Sequence, residues 1–299
     1  MFKIISDGGC DFSRREAEQH GVGLVPFYIN IGNEHFKEGV DISKDEYFER
    51  LLSDKSLRPK TAQPNPQDYI DEIAPQLTAG WDVLLITISS KLSGSHNSAQ
   101  LAIEMLKEEF PDRKVMLIDS QNASIGQGLI LRELIKMRDA GFSLHEAVNM
   151  AEEVKKTTRL YFTLDTLEYL KRGGRVGPTT ALVGGILGLR PILQLDEGEI
   201  SQLDNVRGKK KALKLIEEAM VAALQDEADK INLSVGHILC EKEATAFAAN
   251  TEQALNIEIS SPITSVGAAI GTHAGPGAMA FAYCKKYEAL ELGQKEGAA

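Results

Sequence analysis

Short, almost wholly apolar runs that alternate with amphipathic stretches are the feature that most limits how this chain can fold. Phe2 to Ser6, Val83 to Ile88 and Val115 to Ile118 have the pattern of strands buried on both faces. Helical periods lie between them. Asn65-Pro66 supplies an N-cap and a proline at the first helical position, and Ile70, Ile73, Ala74 and Leu77 then recur at helical spacing. A second helix is predicted after Ser93-Gly94-Ser95, with Ala99, Ala102, Ile103, Leu106 and Phe110 on one stripe and Pro111 beyond it. Gly126 to Ala140 predicts another helix, and the capping-box start Ser143-Leu144-His145-Glu146 one more. Strand and helix in alternation fold as a parallel sheet covered by helices.

After about Thr158 the rhythm changes. Leu160 to Leu164, Ile192 to Leu195 and Ile200 to Val206 read as strands, the last two joined by a turn over Asp196-Glu197-Gly198-Glu199. A hairpin belongs to a mixed or antiparallel sheet. A long helix over Lys209 to Ala228 and a strand over Ile231 to Ile238 follow. The chain is therefore expected to be α/β, with an N-terminal parallel-sheet domain over 1–158, a mixed-sheet α/β domain over 159–287 and a tail over 288–299. At 299 residues it is long enough for two such units.

Several function classes are disfavoured at once. Lys and Arg number 33 against 43 Asp and Glu, a balance that argues against nucleic acid as partner. The three cysteines stand far apart without a CxxC pair, which reads as reduced thiols. The apolar stretch at the N-terminus is too short for a signal peptide, and no run approaches the roughly 20 residues of a spanning helix, so the expected location is the cytoplasm. The histidines show no HxH or HxxxH spacing, and neither a metal nor a cofactor is expected. A GxxxxGK[ST] loop and kinase-type HRD and DFG motifs are missing, so the chain is not expected to transfer phosphate from ATP by itself.

Candidate site residues come from segments rich in small polar residues beside glycine or proline. Ser93-Gly94-Ser95 combines a strand end, a glycine and a helix N-terminus, an arrangement suited to a carboxylate or phosphate. The same serines could equally serve as caps of their own helix. His273 lies between glycines in Gly271-Thr272-His273-Ala274-Gly275, which predicts a sharply turned backbone and a ring able to reach a ligand, although a lone histidine is more often structural. Thr61, ahead of Gln63-Pro64, reads by itself as a loop hydroxyl.

The order of SDGGCDFS, TAQPNP, SSKLSGSHNSA, LIDSQNASIGQG, YLKRGGRVG, LGLRPIL, RGKKKAL and GTHAGPGA resembles the DegV family over Phe2 to Cys284. The resemblance implies a two-domain α/β protein with one long-chain fatty acid in an apolar tunnel near the domain junction, acting as acyl carrier for a separate ATP-dependent fatty acid kinase. Matched by motif, Thr61, Ser93 and His273 would contact the carboxylate, with Gly94 and Thr272 beside them. Hydroxyls, an amide and a helix N-terminus can hold a carboxylate without a buried ion pair. Expected tunnel walls are Phe27, Ile29, Leu129, Ile130, Phe162, Leu164, Leu182, Ile186, Leu187 and Ile270. Ala62, Ala274 and Gly8-Gly9 depart from the usual family pattern, which bears on supporting polar contacts.

The basic residues Arg175, Arg207 and Lys209 stand out in an acidic chain. They read either as solvated surface or as a docking face for the kinase or, transiently, for an anionic membrane. The competing function is a self-contained hydrolase using Ser93 or Ser95 as nucleophile, His273 as base and Asp7 or Asp119 to orient it, although no GxSxG elbow is present.

Overall fold

The computed structural model describes residues 2–176, 189–259 and 261–290. The chain begins β1 (Phe2–Asp7), α1 (Arg14–Gln19), β2 (Val22–Val25), β3 (Tyr28–Ile31), β4 (Glu34–Lys37), α2 (Lys44–Ser53), β5 (Lys60–Ala62) and α3 (Pro66–Thr78). It continues through β6 (Asp82–Thr87), α4 (Ser95–Leu106), β7 (Val115–Asp119), α5 (Ser124–Asp139), α6 (Leu144–Thr157), β8 (Arg159–Thr163) and α7 (Glu168–Gly173). The remainder is β9 (Leu189–Asp196), β10 (Glu199–Arg207), α8 (Lys209–Leu224), β11 (Ile231–His237), α9 (Glu241–Leu255), β12 (Thr264–Ser265), α10 (Ala268–Ala274) and β13 (Met279–Lys285).

The first sheet, ordered β2-β1-β6-β7, is parallel throughout. Its apolar runs are continuous because both faces are covered. Ile5, Val83 and Leu85 pack with Tyr69, Ile73, Ala99 and Ala102 of α3 and α4. Their neighbours Ile4, Leu84 and Ile86 turn the other way, toward α5 and α6. The start of α3 is a capping box, in which Asn65 accepts from the Asp68 amide while Asp68 accepts from the Asn65 amide.

The second sheet, ordered β10-β9-β8-β13-β11-β12, is antiparallel except where β11 meets β12. Glu197 and Gly198, with φ of 47° and 85°, form the tight turn of the β9–β10 hairpin. One face of this sheet packs against α8 and α9 through residues such as Leu233, Phe281, Ile216 and Phe247. The other carries Leu160, Leu193 and Ala282 into the same buried cluster as α5 and α6. Helix α5 thus lies between the sheets and is buried along almost its whole length.

A small antiparallel sheet, β4-β3-β5, was not anticipated and pairs Thr61 with Ile29. Helix α8 ends at Leu224 rather than at the expected Ala228, where a separate 3-10 turn begins. Among the described residues no helix is long and apolar enough to cross a membrane.

Candidate ligand-binding site

A cavity opens between the small sheet, α10 and the inner face of the second sheet. It holds about 950 Å³ of atom-free space counting its open end, within the size range of small-molecule sites. Its body is apolar, walled by side chains such as Phe27, Leu160, Phe162, Leu195, Ile200 and Ile270. Among the polar side chains of its wall are Thr61, Gln63, Ser93, Arg175 and His273.

Three different elements deliver the expected carboxylate ligands to this one cavity. β5 carries Thr61, the loop after β6 carries Ser93, and α10 carries His273. The backbone at His273 is helical. The sharp turn expected at the histidine comes after it, where Gly275 and Gly277 take φ of 79° and 80°. The last turn of a helix, rather than a loop, therefore aims the ring.

His273 Nε2 and Thr61 Oγ1 are hydrogen bonded at 2.7 Å. Nδ1 of the same ring is buried without a partner. Burial, helped by the positive charge of Arg175, pushes His273 down to about 4, so the imidazole is neutral at pH 7. An unpaired acceptor costs less than an unpaired N–H, which favours the tautomer with its proton on Nε2. That proton then goes to Thr61 Oγ1 and leaves the threonine hydroxyl free to donate into the cavity.

Ser93 is arranged in a comparable way. Its Oγ accepts the Ser95 amide at 3.2 Å, so its own proton is available to another acceptor. Ser95 does not cap α4. Its hydroxyl donates to the buried carboxylate of Asp7 at 2.7 Å and is also bonded to Tyr69.

Other expected residues lie elsewhere. Gly94 is the N-cap of α4 and is off the cavity wall, where an added Cβ would come 2.5 Å from the Gln63 side chain. Thr272 is also off the wall, because its hydroxyl donates back to the Ala268 carbonyl and meets the Tyr47 hydroxyl at 2.7 Å. Arg175, grouped from sequence with a docking cluster, lines the cavity, and its Nε donates to the Leu92 carbonyl at 3.1 Å. Arg207 is exposed at the end of β10, and Lys209 is paired with Glu243 at 3.2 Å.

Of the expected tunnel walls, Phe27, Phe162, Leu164 and Ile270 line the cavity. Ile29, Leu129 and Ile130 are packed in the core instead, and Leu182, Ile186 and Leu187 lie outside the described residues. Leu160 was missed, although its two-residue spacing from Phe162 and Leu164 marks it as facing the same side of the chain. Gln63, also missed, was visible as the polar residue of the TAQP loop.

A serine hydrolase would need its histidine bonded to the nucleophile and oriented by a carboxylate. His273 is bonded to Thr61. The Asp7 carboxylate is occupied by Gly9, Ile88, Ser95 and Gln127, and Asp119 accepts from Ser90 and Gln121. Neither aspartate meets the imidazole.

An apolar cavity with hydroxyls, a neutral imidazole and a guanidinium on its wall has the chemistry to accommodate a small amphiphile with an anionic head. The family model described as "Uncharacterised protein, DegV family" matches residues 1–286, and the chain belongs to the DegV family. It is 35% identical to a DegV domain-containing protein of Caldanaerobacter subterraneus subsp. tengcongensis over 92% of this chain and 95% of that one. Its fold is similar to that of a fat acid (stearic acid)-binding protein from Eubacterium ventriosum, with TM-score 0.92, 30% identity and coverage of 97% and 100%. It is also similar to a fatty-acid-binding DegV family protein from Thermus thermophilus, with TM-score 0.86, 29% identity and coverage of 95% and 99%.

Proposed function

We propose that this chain binds one long-chain fatty acid, with the acyl chain in the cavity and the carboxylate among Thr61, Ser93 and His273. The observation that carries the reading is that those three side chains line one largely apolar cavity, Thr61 and His273 bonded to each other. Fatty-acid binding by the Eubacterium and Thermus proteins supports it. Each buried methylene contributes about 0.8 kcal/mol, so a long chain offsets the cost of ordering it. Arg175 adds a positive charge to the hydroxyl and imidazole donors.

The chain then serves as a carrier. It presents the carboxylate to a separate ATP-dependent fatty acid kinase, which makes the acyl phosphate that feeds phospholipid synthesis. Exposed Gln63 beside the site leaves the head group within a partner's reach. With Arg175 turned into the cavity, Arg207 and Lys209 remain to dock the kinase or to touch an anionic membrane surface, and the protein works in the cytoplasm.

Titration with oleate, followed by incubation with a fatty acid kinase and ATP, tests both halves. One-to-one binding and acyl phosphate formed only in the presence of the loaded chain are expected. Failure to bind removes the carrier reading, and binding without turnover by the kinase removes the presenting role.

A further inference from the structure

The backbone of α7 presses on the ring of His273. A Cβ built on Gly173 would lie 1.9 Å from His273 Nδ1 and 2.6 Å from Cε1. Across the ring, Nε2 is held by Thr61 at 2.7 Å. A methyl group at position 173 therefore forces the imidazole to shift, and such a shift changes the geometry of its hydrogen bond to Thr61.

Nothing in the backbone calls for glycine here. Gly173 closes α7 and is not among the glycines with positive φ. A helical glycine is less stable than alanine at the same place. Its neighbour Gly174 is the opposite case, with φ of 69° and open space around an added Cβ. Space demands the first glycine, and a left-handed backbone demands the second.

We infer that Gly173 is a positioning residue for the ligand site, leaving room for the His273 imidazole to sit against Thr61. Its effect on ligand affinity rests on the fatty-acid reading above, whereas its effect on the ring does not.

The test uses the full chain with Gly173→Ala, Gly174→Ala, His273→Ala and the Gly173→Ala/His273→Ala double variant. Readouts are Tm, the imidazole nitrogen signals of His273 by NMR, and oleate affinity. Gly173→Ala is expected to lower Tm in the wild-type background but not in the His273→Ala background, to shift the His273 signals and to weaken oleate binding about tenfold, with little further loss in the His273→Ala background. Gly174→Ala is expected to lower Tm while leaving the His273 signals and oleate affinity of the folded chain as they were. Unshifted His273 signals in Gly173→Ala overturn the inference, as does a loss that adds fully to that of His273→Ala. A wild-type chain that ignores oleate overturns the fatty-acid reading instead, and the imidazole signals still decide the role of Gly173.

Discussion

The carboxylate of Asp7 accepts the Ser95 hydroxyl at 2.7 Å, tying the end of the first strand to the helix that starts beside Ser93. The same carboxylate accepts the Gly9 and Ile88 amides and the Gln127 side chain. Burial pushes Asp7 up, and these bonds pull it back. Asp7→Ala strands several buried donors and should cost about 3 kcal/mol, read as a lower midpoint in urea denaturation. An unchanged midpoint would show that Asp7 does not organise this corner.

Thr61→Val and Ser93→Ala each remove one hydroxyl donor from the cavity with little change of volume. Each is expected to weaken fatty-acid binding about tenfold, the value of one hydrogen bond to a charged group. Calorimetric titration against oleate checks this, with Tm measured alongside as the control on folding. Affinity equal to wild type in both variants would detach the carboxylate from these residues.

Glu38 gives the fold a pH dependence. Its carboxylate accepts the Ala269 amide at 3.1 Å, next to Asp11, which accepts the Gly267 amide at 3.0 Å. Burial pushes Glu38 up to about 7, the Ala269 amide opposing and the Asp11 charge adding to the rise. A carboxyl group raised in the folded chain contributes stability that is fully present below its ordinary 4.5 and is lost as the pH rises through 7. Glu38→Gln keeps an acceptor without the charge, so its Tm relative to wild type should be highest at pH 8 and fall toward pH 5. His237 and His273, both held below their ordinary value by burial, act in the opposite direction below about pH 6.5 and cancel in this difference. A Tm difference that is flat with pH would contradict the assignment.

If the cavity holds the acyl chain as proposed, its wall sets which acyl chains fit. Ala280 on β13 faces the cavity from the register position opposite Phe162. Ala280→Leu fills part of the space and should move the bound lipid toward shorter chains. Extraction and chromatography of the variant's lipid read the shift, and an unchanged profile would place the acyl chain away from β13.

Much of this was legible in the sequence for physical reasons. Phe2 to Ser6 and Val83 to Ile88 are apolar on both faces because helices cover both sides of the first sheet, and Asn65-Pro66 marks its helix through a cap that needs no tertiary context. β3 to β5 were not legible, since strands of only 3 or 4 residues carry too little periodicity, although β3 and β4 form a local hairpin over Gly32-Asn33; β5 joins them only through pairing with a distant segment. Leu129 and Ile130 looked like tunnel wall because a helix buried between two sheets is as apolar as a ligand cavity. The motif order singled out Thr61, Ser93 and His273, which line one cavity. The bond between Thr61 and His273, 212 residues apart, exists only once α10 packs on the small sheet.

The central claim is tested most directly by mass spectrometry of the purified chain, first intact under native conditions and then after organic extraction. One fatty acid per chain, retained by wild type and depleted in Thr61→Val, is the predicted result. A chain that carries no lipid and takes up none when incubated with oleate would contradict the account.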